Sequence, residues 1–71
     1  MDYATYITST TWKMKAQAAK EIAGECAVCS SRTDLEVHHR TYVRLGHERP
    51  EDLVVLCGRH HRMILATRMK P

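Results

Sequence analysis

Two short pairs of metal-ligating residues constrain this chain more than any other feature of its sequence. Cys26 and Cys29 are separated by two residues, and Cys57 and His60 repeat the same gap further along the chain. Three thiolates and one imidazole, arranged in two such pairs, suit the tetrahedral coordination of Zn²⁺. The spacing therefore predicts a structural zinc site that cross-links two distant segments.

The small size of the chain makes such a cross-link valuable. Its 71 residues include one Trp, three Tyr and no Phe, so large side chains for an apolar core are scarce. A domain of this size usually needs a staple beyond its apolar core. Its three cysteines cannot all be paired in disulfides, and cysteines in a small cytosolic chain are more often metal ligands. We therefore expect a single zinc-dependent domain over residues 1–71.

Charge and hydropathy narrow the expected surroundings of the chain. The net charge of +3 and pI near 9.0 fit a phosphate-rich partner, but they fit a solvated basic surface equally well. No apolar run approaches the ~18 residues of a membrane span, and the N-terminus MDYATYITSTTWK lacks the features of a secretory signal. We expect a cytoplasmic protein without a membrane partner.

Helix and strand signals divide the chain into short elements. Ser9 or Thr10 can cap a helix start, and Gly24 is a natural helix stop. The β-branched LVVL run predicts a strand. The predicted order is an arm (1–8), a helix (9–24) and a zinc-stapled core (25–69), which contains a tight turn, a strand (35–38), a loop (40–51), a second strand (53–56) and a final helix (59–69).

Other interpretations of the cysteine pairs remain open at this point. A CxxC pair alone is also typical of a redox motif. The cysteines could instead be small buried apolar residues, with His60 exposed. His61 could be the fourth zinc ligand, which would free His60. The two-residue gap shared by both pairs favours His60.

The chain contains two histidine doublets, His38-His39 and His60-His61. Neighbouring residues on a helix point about 100° apart, and neighbours on a strand point to opposite faces. The two rings of a doublet can therefore hardly bind the same small ion. The simplest arrangement is a second metal site formed by His38 and His61, with His39 serving another purpose.

Several motifs of the chain together resemble those of a known family. The run LEVHHRTYVRLGHERPEDLVVLCGRHH, the CxxC pair, and the Tyr-x-x-Tyr-x-x-Ser arm before Trp12 are together similar to HNH endonucleases. The resemblance extends from about Tyr3 through Ile64. It implies a small α+β fold, the ββα-metal (His-Me) finger, with an N-terminal helix and a structural zinc. It also implies metal-dependent hydrolysis of DNA phosphodiester bonds, by nicking or cleavage with low sequence specificity.

The resemblance assigns roles to individual positions. His38 matches the first metal ligand, and His39 matches the general base that takes a proton from water. Asp52 stands at the family's middle Asn, and His61 matches the metal ligand on the helix. The two zinc-binding pairs match the family's structural zinc set, although its last member is more often Cys than His.

The implied chemistry agrees with the residue types. An imidazole, with an unperturbed pKa of ~6.5, suits a general base at neutral pH. A divalent ion can offset charge on the transition state and on the leaving oxygen. Contacts to the phosphate backbone need basic side chains and carry no sequence information. The candidates for these DNA contacts are Arg40, Arg44, Arg49 and Lys13.

Two positions depart from the family pattern. Asp52 could hydrogen-bond as an Asn would, or it could bind the ion directly through a carboxylate oxygen. Leu65 lies four residues after His61, where some family members carry another metal-binding His. A site with His38, His61 and one carboxylate favours Mg²⁺ or Mn²⁺ over tightly bound zinc, with other divalent ions as alternatives.

Two other functions share much of the pattern. One is a zinc-finger DNA-binding module without chemistry. The other is a non-autonomous nuclease subunit of a larger machine, for example in phage packaging. Three further side chains have structural interpretations: Trp12 as core that covers the zinc pairs, Tyr42 as packing beneath the loop, and Glu48 as an acceptor of backbone N–H groups within the loop.

Overall fold

The computed structural model describes residues 2–68. Met1 and Met69, the outer ends of the predicted arm and final helix, lie outside these residues. Among the residues described, no helix is both long and apolar enough to span a bilayer. The elements, in chain order, are α1 (Tyr3–Ile7), α2 (Thr10–Ala23), β1 (Leu35–His39), a 3₁₀ turn (Pro50–Asp52), β2 (Leu53–Cys57) and α3 (Gly58–Arg68). This is a small α+β arrangement, as the sequence predicts.

Helix α2 begins and ends where the sequence predicts. The Ser9 hydroxyl accepts a hydrogen bond from the backbone N–H of Trp12 at 3.2 Å, which satisfies one of the first unpaired N–H groups of the helix. Gly24 ends the helix with a φ of 71°, a left-handed conformation that costs glycine little. Both signals are local, so the sequence alone is sufficient to read them.

The predicted arm contains a helix that the sequence analysis missed. Asp2 caps α1, and its carboxylate accepts bonds from the backbone N–H and the hydroxyl of Thr5 at 3.3 and 3.0 Å. Tyr6 is the buried residue of α1. A helix of five residues is too short for a recognisable apolar period and too short to be stable alone. We attribute its stability to the burial of Tyr6 against the rest of the fold.

Strands β1 and β2 pair antiparallel, with Leu35 opposite Cys57 and His39 opposite Leu53. Each strand extends one residue beyond its predicted end, to His39 and Cys57. Helix α3 starts at Gly58, directly after β2. A side chain at position 58 would run into the carboxylate of Asp34. β2 and α3 are consecutive, with no connecting loop between Cys57 and Gly58, and glycine leaves the space that this close junction requires.

The apolar core is small and surrounds the cysteines. Cys26, Leu56 and Cys57 are buried together. The partly buried side chains packed against them are Leu35, Val54 and Ile64. Two of the three buried members of this core are candidate zinc ligands, so an ion bound there would stabilise the same part of the molecule as apolar packing does.

The apolar stripe of α2 is only partly covered. Trp12 at its start is buried, but Ile22 near its end is 88% exposed. A groove of about 680 Å³ lies here between α2 and β2, lined among others by Ala19, Ile22 and Val55. Nothing among the described residues covers Ile22 at this end of the helix.

Candidate metal centres

The two predicted zinc-binding pairs converge to form one group, hereafter the Cys/His cluster (Cys26, Cys29, Cys57 and His60). Their ligand atoms all lie within 4.8 Å of one another. Sulfur atoms of Cys29 and Cys57 are 3.8 Å apart, and His60 Nδ1 lies 3.2 Å from the sulfur of Cys57. Tetrahedral zinc with Zn–S bonds of ~2.3 Å places two sulfurs about 3.8 Å apart. The cluster therefore fits a structural zinc ion.

Local structure at both pairs explains this convergence. Cys26 and Cys29 lie on a tight turn, in which the N–H of Ser30 donates to the carbonyl of Cys26 at 2.9 Å. Cys57 ends β2, and His60 lies in the first turn of α3. All three cysteines are free thiols. The prediction that His60, rather than His61, completes the cluster is confirmed.

Electrostatics at the turn favour a thiolate. Burial opposes ionisation of Cys26, but N–H groups of Cys57, Cys29 and Val28 more than offset it and lower the pKa of Cys26 to about 6. For Cys29, the N–H of Ser31 acts in the opposite direction to burial and to the neighbouring sulfurs, and the pKa is raised overall. One ligand is thus ionised readily at neutral pH, as zinc binding requires.

A second pair of ligand atoms, hereafter the histidine pair, is formed by His38 and His61. Nδ1 of His38 lies 3.2 Å from Nε2 of His61. Two nitrogens bound to one ion at ~2.0–2.1 Å are separated by about 2.8–3.0 Å in octahedral geometry and about 3.3–3.4 Å in tetrahedral geometry, and the observed distance lies between these values. This separation fits the two nitrogens as ligands of one ion.

Glu36 supports the histidine pair from the far side of His61. Its Oε1 lies 2.7 Å from Nδ1 of His61. A carboxylate that accepts the Nδ1–H leaves the lone pair on Nε2, the nitrogen that faces His38. Glu36 is not among the predicted site residues, although strand alternation gives a signal: Glu36 and His38 are two residues apart on β1 and share a face.

His39 lies among different neighbours from His38, as the alternation of β1 predicts. Its Nε2 is 2.7 Å from Oε2 of Glu48, and its ring stacks on Trp12 with centroids 4.4 Å apart. The rings of Tyr3 and Tyr42 lie 6.0 and 5.4 Å away. Trp12 therefore packs on this histidine, in contrast to its predicted place over the zinc pairs. Tyr42, predicted to pack beneath the loop, is 50% exposed.

Glu48 makes side-chain contacts that the sequence analysis did not foresee. Besides His39, it accepts a bond from the Tyr6 hydroxyl at 2.8 Å and pairs with Lys15 at 3.2 Å. Burial alone would raise the pKa of Glu48, but hydrogen bonds from His39, Tyr6 and Lys15 help to lower it to about 2. Glu48 thus joins β1 to both N-terminal helices and remains a carboxylate at neutral pH.

Asp52 is not brought together with the histidine pair. Both of its oxygens pair with the guanidinium of Arg44, and one of them also accepts the N–H of Arg49 at 3.0 Å. Hydrogen bonds from Arg44 and Arg49 lower the pKa of Asp52 to about 2. Among the described residues, the Cys/His cluster is the one convergent group of three or more possible ligands. Of the two roles weighed for Asp52, the geometry favours hydrogen bonding over direct ion binding.

The predicted DNA-contacting residues fall into two groups. Lys13, Arg40 and Arg49 are exposed. Arg44 is engaged by Asp52 and is only partly exposed. Its predicted role as a phosphate clamp is therefore in competition with an internal ion pair.

Comparison of the chain with protein-family models, with curated proteins and with solved structures finds no match in any of the three.

Proposed function

We propose that this chain is a metal-dependent endonuclease of the HNH type, with the ββα-metal fold, that hydrolyses DNA phosphodiester bonds. The observation that carries this proposal is the 3.2 Å approach of His38 Nδ1 and His61 Nε2. A zinc finger that only binds requires the Cys/His cluster alone. The close approach of two further imidazoles, one of which follows His60 directly in sequence, favours a second, catalytic metal site.

The histidine pair would hold a divalent ion, most suitably Mg²⁺ or Mn²⁺. Two nitrogens leave open positions for a phosphate oxygen and water, in contrast to the four ligands of a structural site. When bound, such an ion offsets negative charge on the phosphate as the bond to the leaving oxygen breaks. Glu36 keeps Nε2 of His61 available by accepting the proton on the other ring nitrogen.

His39 is the residue proposed to take the proton from the attacking water. It follows His38 in sequence, but its ring contacts Trp12 and Glu48, so it does not compete for the ion. Burial of the ring against Trp12 restricts its rotation. A general base must reach its water within ~2.6–3.2 Å, and a fixed ring meets that requirement more often than a mobile one.

The remaining polar residues would hold the loop in place or bind the DNA backbone, and would not take part in the reaction. Asp52 holds the loop between the strands by pairing with Arg44 and with the N–H of Arg49. Its backbone carbonyl also accepts the N–H of Arg40 at 2.7 Å. Lys13, Arg40 and Arg49 are exposed and can contact phosphates without reading sequence, which agrees with low sequence specificity.

Nicking of supercoiled plasmid in Mg²⁺, Mn²⁺ or Ni²⁺ tests this function. His39→Ala should lower the rate by about 10²–10⁴-fold, the usual contribution of a general base, while retaining zinc. His47→Ala is the matched control, because His47 is an exposed histidine in the loop that follows β1. Cleavage that survives in His39→Ala at the wild-type rate would contradict the assignment of the base.

A second candidate function is a zinc-stapled DNA-binding module. The observation in its favour is that Asp52 is engaged by Arg44, which leaves the histidine pair with two nitrogens. Plasmid binding without cleavage in any ion would support it. Cleavage that appears only with a partner protein would instead indicate a nuclease subunit of a larger machine.

A further inference from the structure

The carboxylate of Glu48 divides its two oxygens between different partners. Oε1 accepts bonds from the Tyr6 hydroxyl at 2.8 Å and from Lys15 Nζ at 3.2 Å. Oε2 lies 2.7 Å from Nε2 of His39. The Glu48 side chain is 1% exposed and that of His39 is 2% exposed. Because two donors hold Oε1 in place, the orientation of the carboxylate is fixed, and Oε2 faces His39.

This arrangement determines which nitrogen of His39 carries the proton. A carboxylate is an acceptor, so the short bond to Oε2 requires a proton on Nε2. Within the described part of the chain, the hydrogen bond of the His39 ring is made through Nε2, and none is made through Nδ1. The neutral ring therefore presents its lone pair at Nδ1.

We infer that Glu48 is a positioning residue for phosphodiester hydrolysis: it holds His39 in the Nε2–H tautomer, so that Nδ1 accepts the proton of the attacking water. This inference rests on the proposed function, because it takes His39 as the base. As the water oxygen forms its bond to phosphorus, one of its O–H bonds breaks and the proton moves to Nδ1. The bond to the leaving oxygen breaks with its electron pair. The resulting imidazolium charge lies against the Glu48 carboxylate.

Glu48 could have either of two roles: it could orient the His39 ring, or it could only hold neighbouring elements together. Tyr6 lies on α1, Lys15 on α2 and His39 on β1, so Glu48 does join three elements. A purely structural role, however, could be filled by any polar side chain that hydrogen-bonds to all three elements. A positioning role requires an acceptor, specifically, opposite Nε2 of His39. Replacement of the carboxylate by an amide separates the two roles.

Glu48→Gln is the decisive variant. Lys15 has only donors, so the amide oxygen belongs with Lys15 and Tyr6, and the amide NH₂ then faces His39. Nε2 must become an acceptor, which moves the ring proton to Nδ1. We expect kcat to fall by about 10²–10⁴-fold, the usual contribution of general base catalysis, with KM for plasmid within about threefold because no DNA contact is changed.

The ring nitrogens of His39 provide a readout that does not depend on activity. Nitrogen NMR at a single pH of 8 distinguishes protonated from unprotonated ring nitrogens, and His39→Ala assigns the signals. The wild type should show the Nε2–H tautomer, and Glu48→Gln the Nδ1–H tautomer. Tyr6→Phe is the matched control: it removes one donor from Oε1 but leaves the bond to His39, so the tautomer should be unchanged and kcat should fall less than tenfold.

The outcomes separate this inference from the proposed function. Glu48→Gln protein that retains zinc and cuts at the wild-type rate would overturn the role of Glu48 and leave the nuclease intact. A wild-type spectrum with a proton on Nδ1 would also overturn it, even if the variant does not fold. Absence of cleavage by wild-type protein would remove the proposed function, while the two spectra would still decide whether Glu48 sets the tautomer.

Discussion

The two candidate metal centres differ in how completely the protein supplies their ligands. The Cys/His cluster brings four ligand atoms within 4.8 Å of one another, whereas the histidine pair brings two nitrogens together. Four protein ligands exclude substrate from an ion, and two leave room for it. Helix α3 contributes His60 to the first centre and His61 to the second, while the other ligands come from different segments: the turn at 26–29 and the end of β2 for the cluster, and β1 for the histidine pair.

The surroundings of the two centres differ in the same sense. Cys26 and Cys57 are part of the apolar core with Leu56, so we expect loss of an ion bound there to expose apolar surface. His61 is oriented instead by a hydrogen bond to Glu36, whose side chain is 41% exposed. We expect removal of the first ion to affect folding and removal of the second to affect only chemistry.

Loss of the structural ion should have the largest effect. Cys57→Ser, or a strong chelator added to wild type, should abolish cooperative thermal unfolding, because structural zinc contributes ~10–16 kcal/mol in small zinc domains and a domain is stable by only ~5–15 kcal/mol. Circular dichroism and elemental zinc analysis measure both quantities. His61→Ala is the control and should retain one zinc per chain. A cooperative wild-type melt in zinc-free Cys57→Ser would disprove the comparison.

Removal of the carboxylate behind His61 should have an intermediate effect. Glu36→Ala should weaken Mn²⁺ binding at the histidine pair by about 10–100-fold, as is usual for loss of a carboxylate that orients a ligand. Titration of Mn²⁺ followed by electron paramagnetic resonance measures this affinity. Glu21→Ala, which removes an exposed glutamate of α2, should leave it unchanged. Equal affinities in both variants would show that Glu36 does not support the ion.

Addition of a ligand to the open centre should have the smallest of the three effects. Leu65 lies one turn after His61 and is 40% exposed, so Leu65→His places a third imidazole on the same helix face. We expect roughly tenfold tighter binding of Ni²⁺ or Zn²⁺ relative to Mg²⁺, because imidazole favours these ions. Competition titrations measure the ratio. Leu65→Gln should not change it, and a shift in that variant as well would contradict a ligand role for position 65.

Features that depend on local spacing are predictable from this sequence. The equal gaps in the two zinc-binding pairs predict the cluster, and Ser9 and Gly24 predict the ends of α2. The alternation of β1 predicts that His38 and His39 have different neighbours. Each of these follows from geometry within a few residues.

Features that depend on the folded loop are not predictable in this way. The hydrogen bond between Tyr6 and Glu48 joins residues 42 positions apart, and it stabilises an α1 helix that is too short to recognise. The pairing of Asp52 with Arg44 depends on the path of the loop between the strands. No periodic pattern in the sequence predicts these contacts, so the hydrogen-bond partners of His39 and Asp52 can be identified only from the structure.

His60 and His61 are consecutive residues of α3, so the azimuth of one ring about the helix axis determines the azimuth of the other. A larger ion in the sulfur-rich centre, such as Cd²⁺, would shift the first turn of the helix and turn His61 with it. Insertion of one residue between the two would rotate His61 by about 100°. Because a single peptide unit joins the two residues, we expect the ion bound at the Cys/His cluster to influence the geometry of the histidine pair.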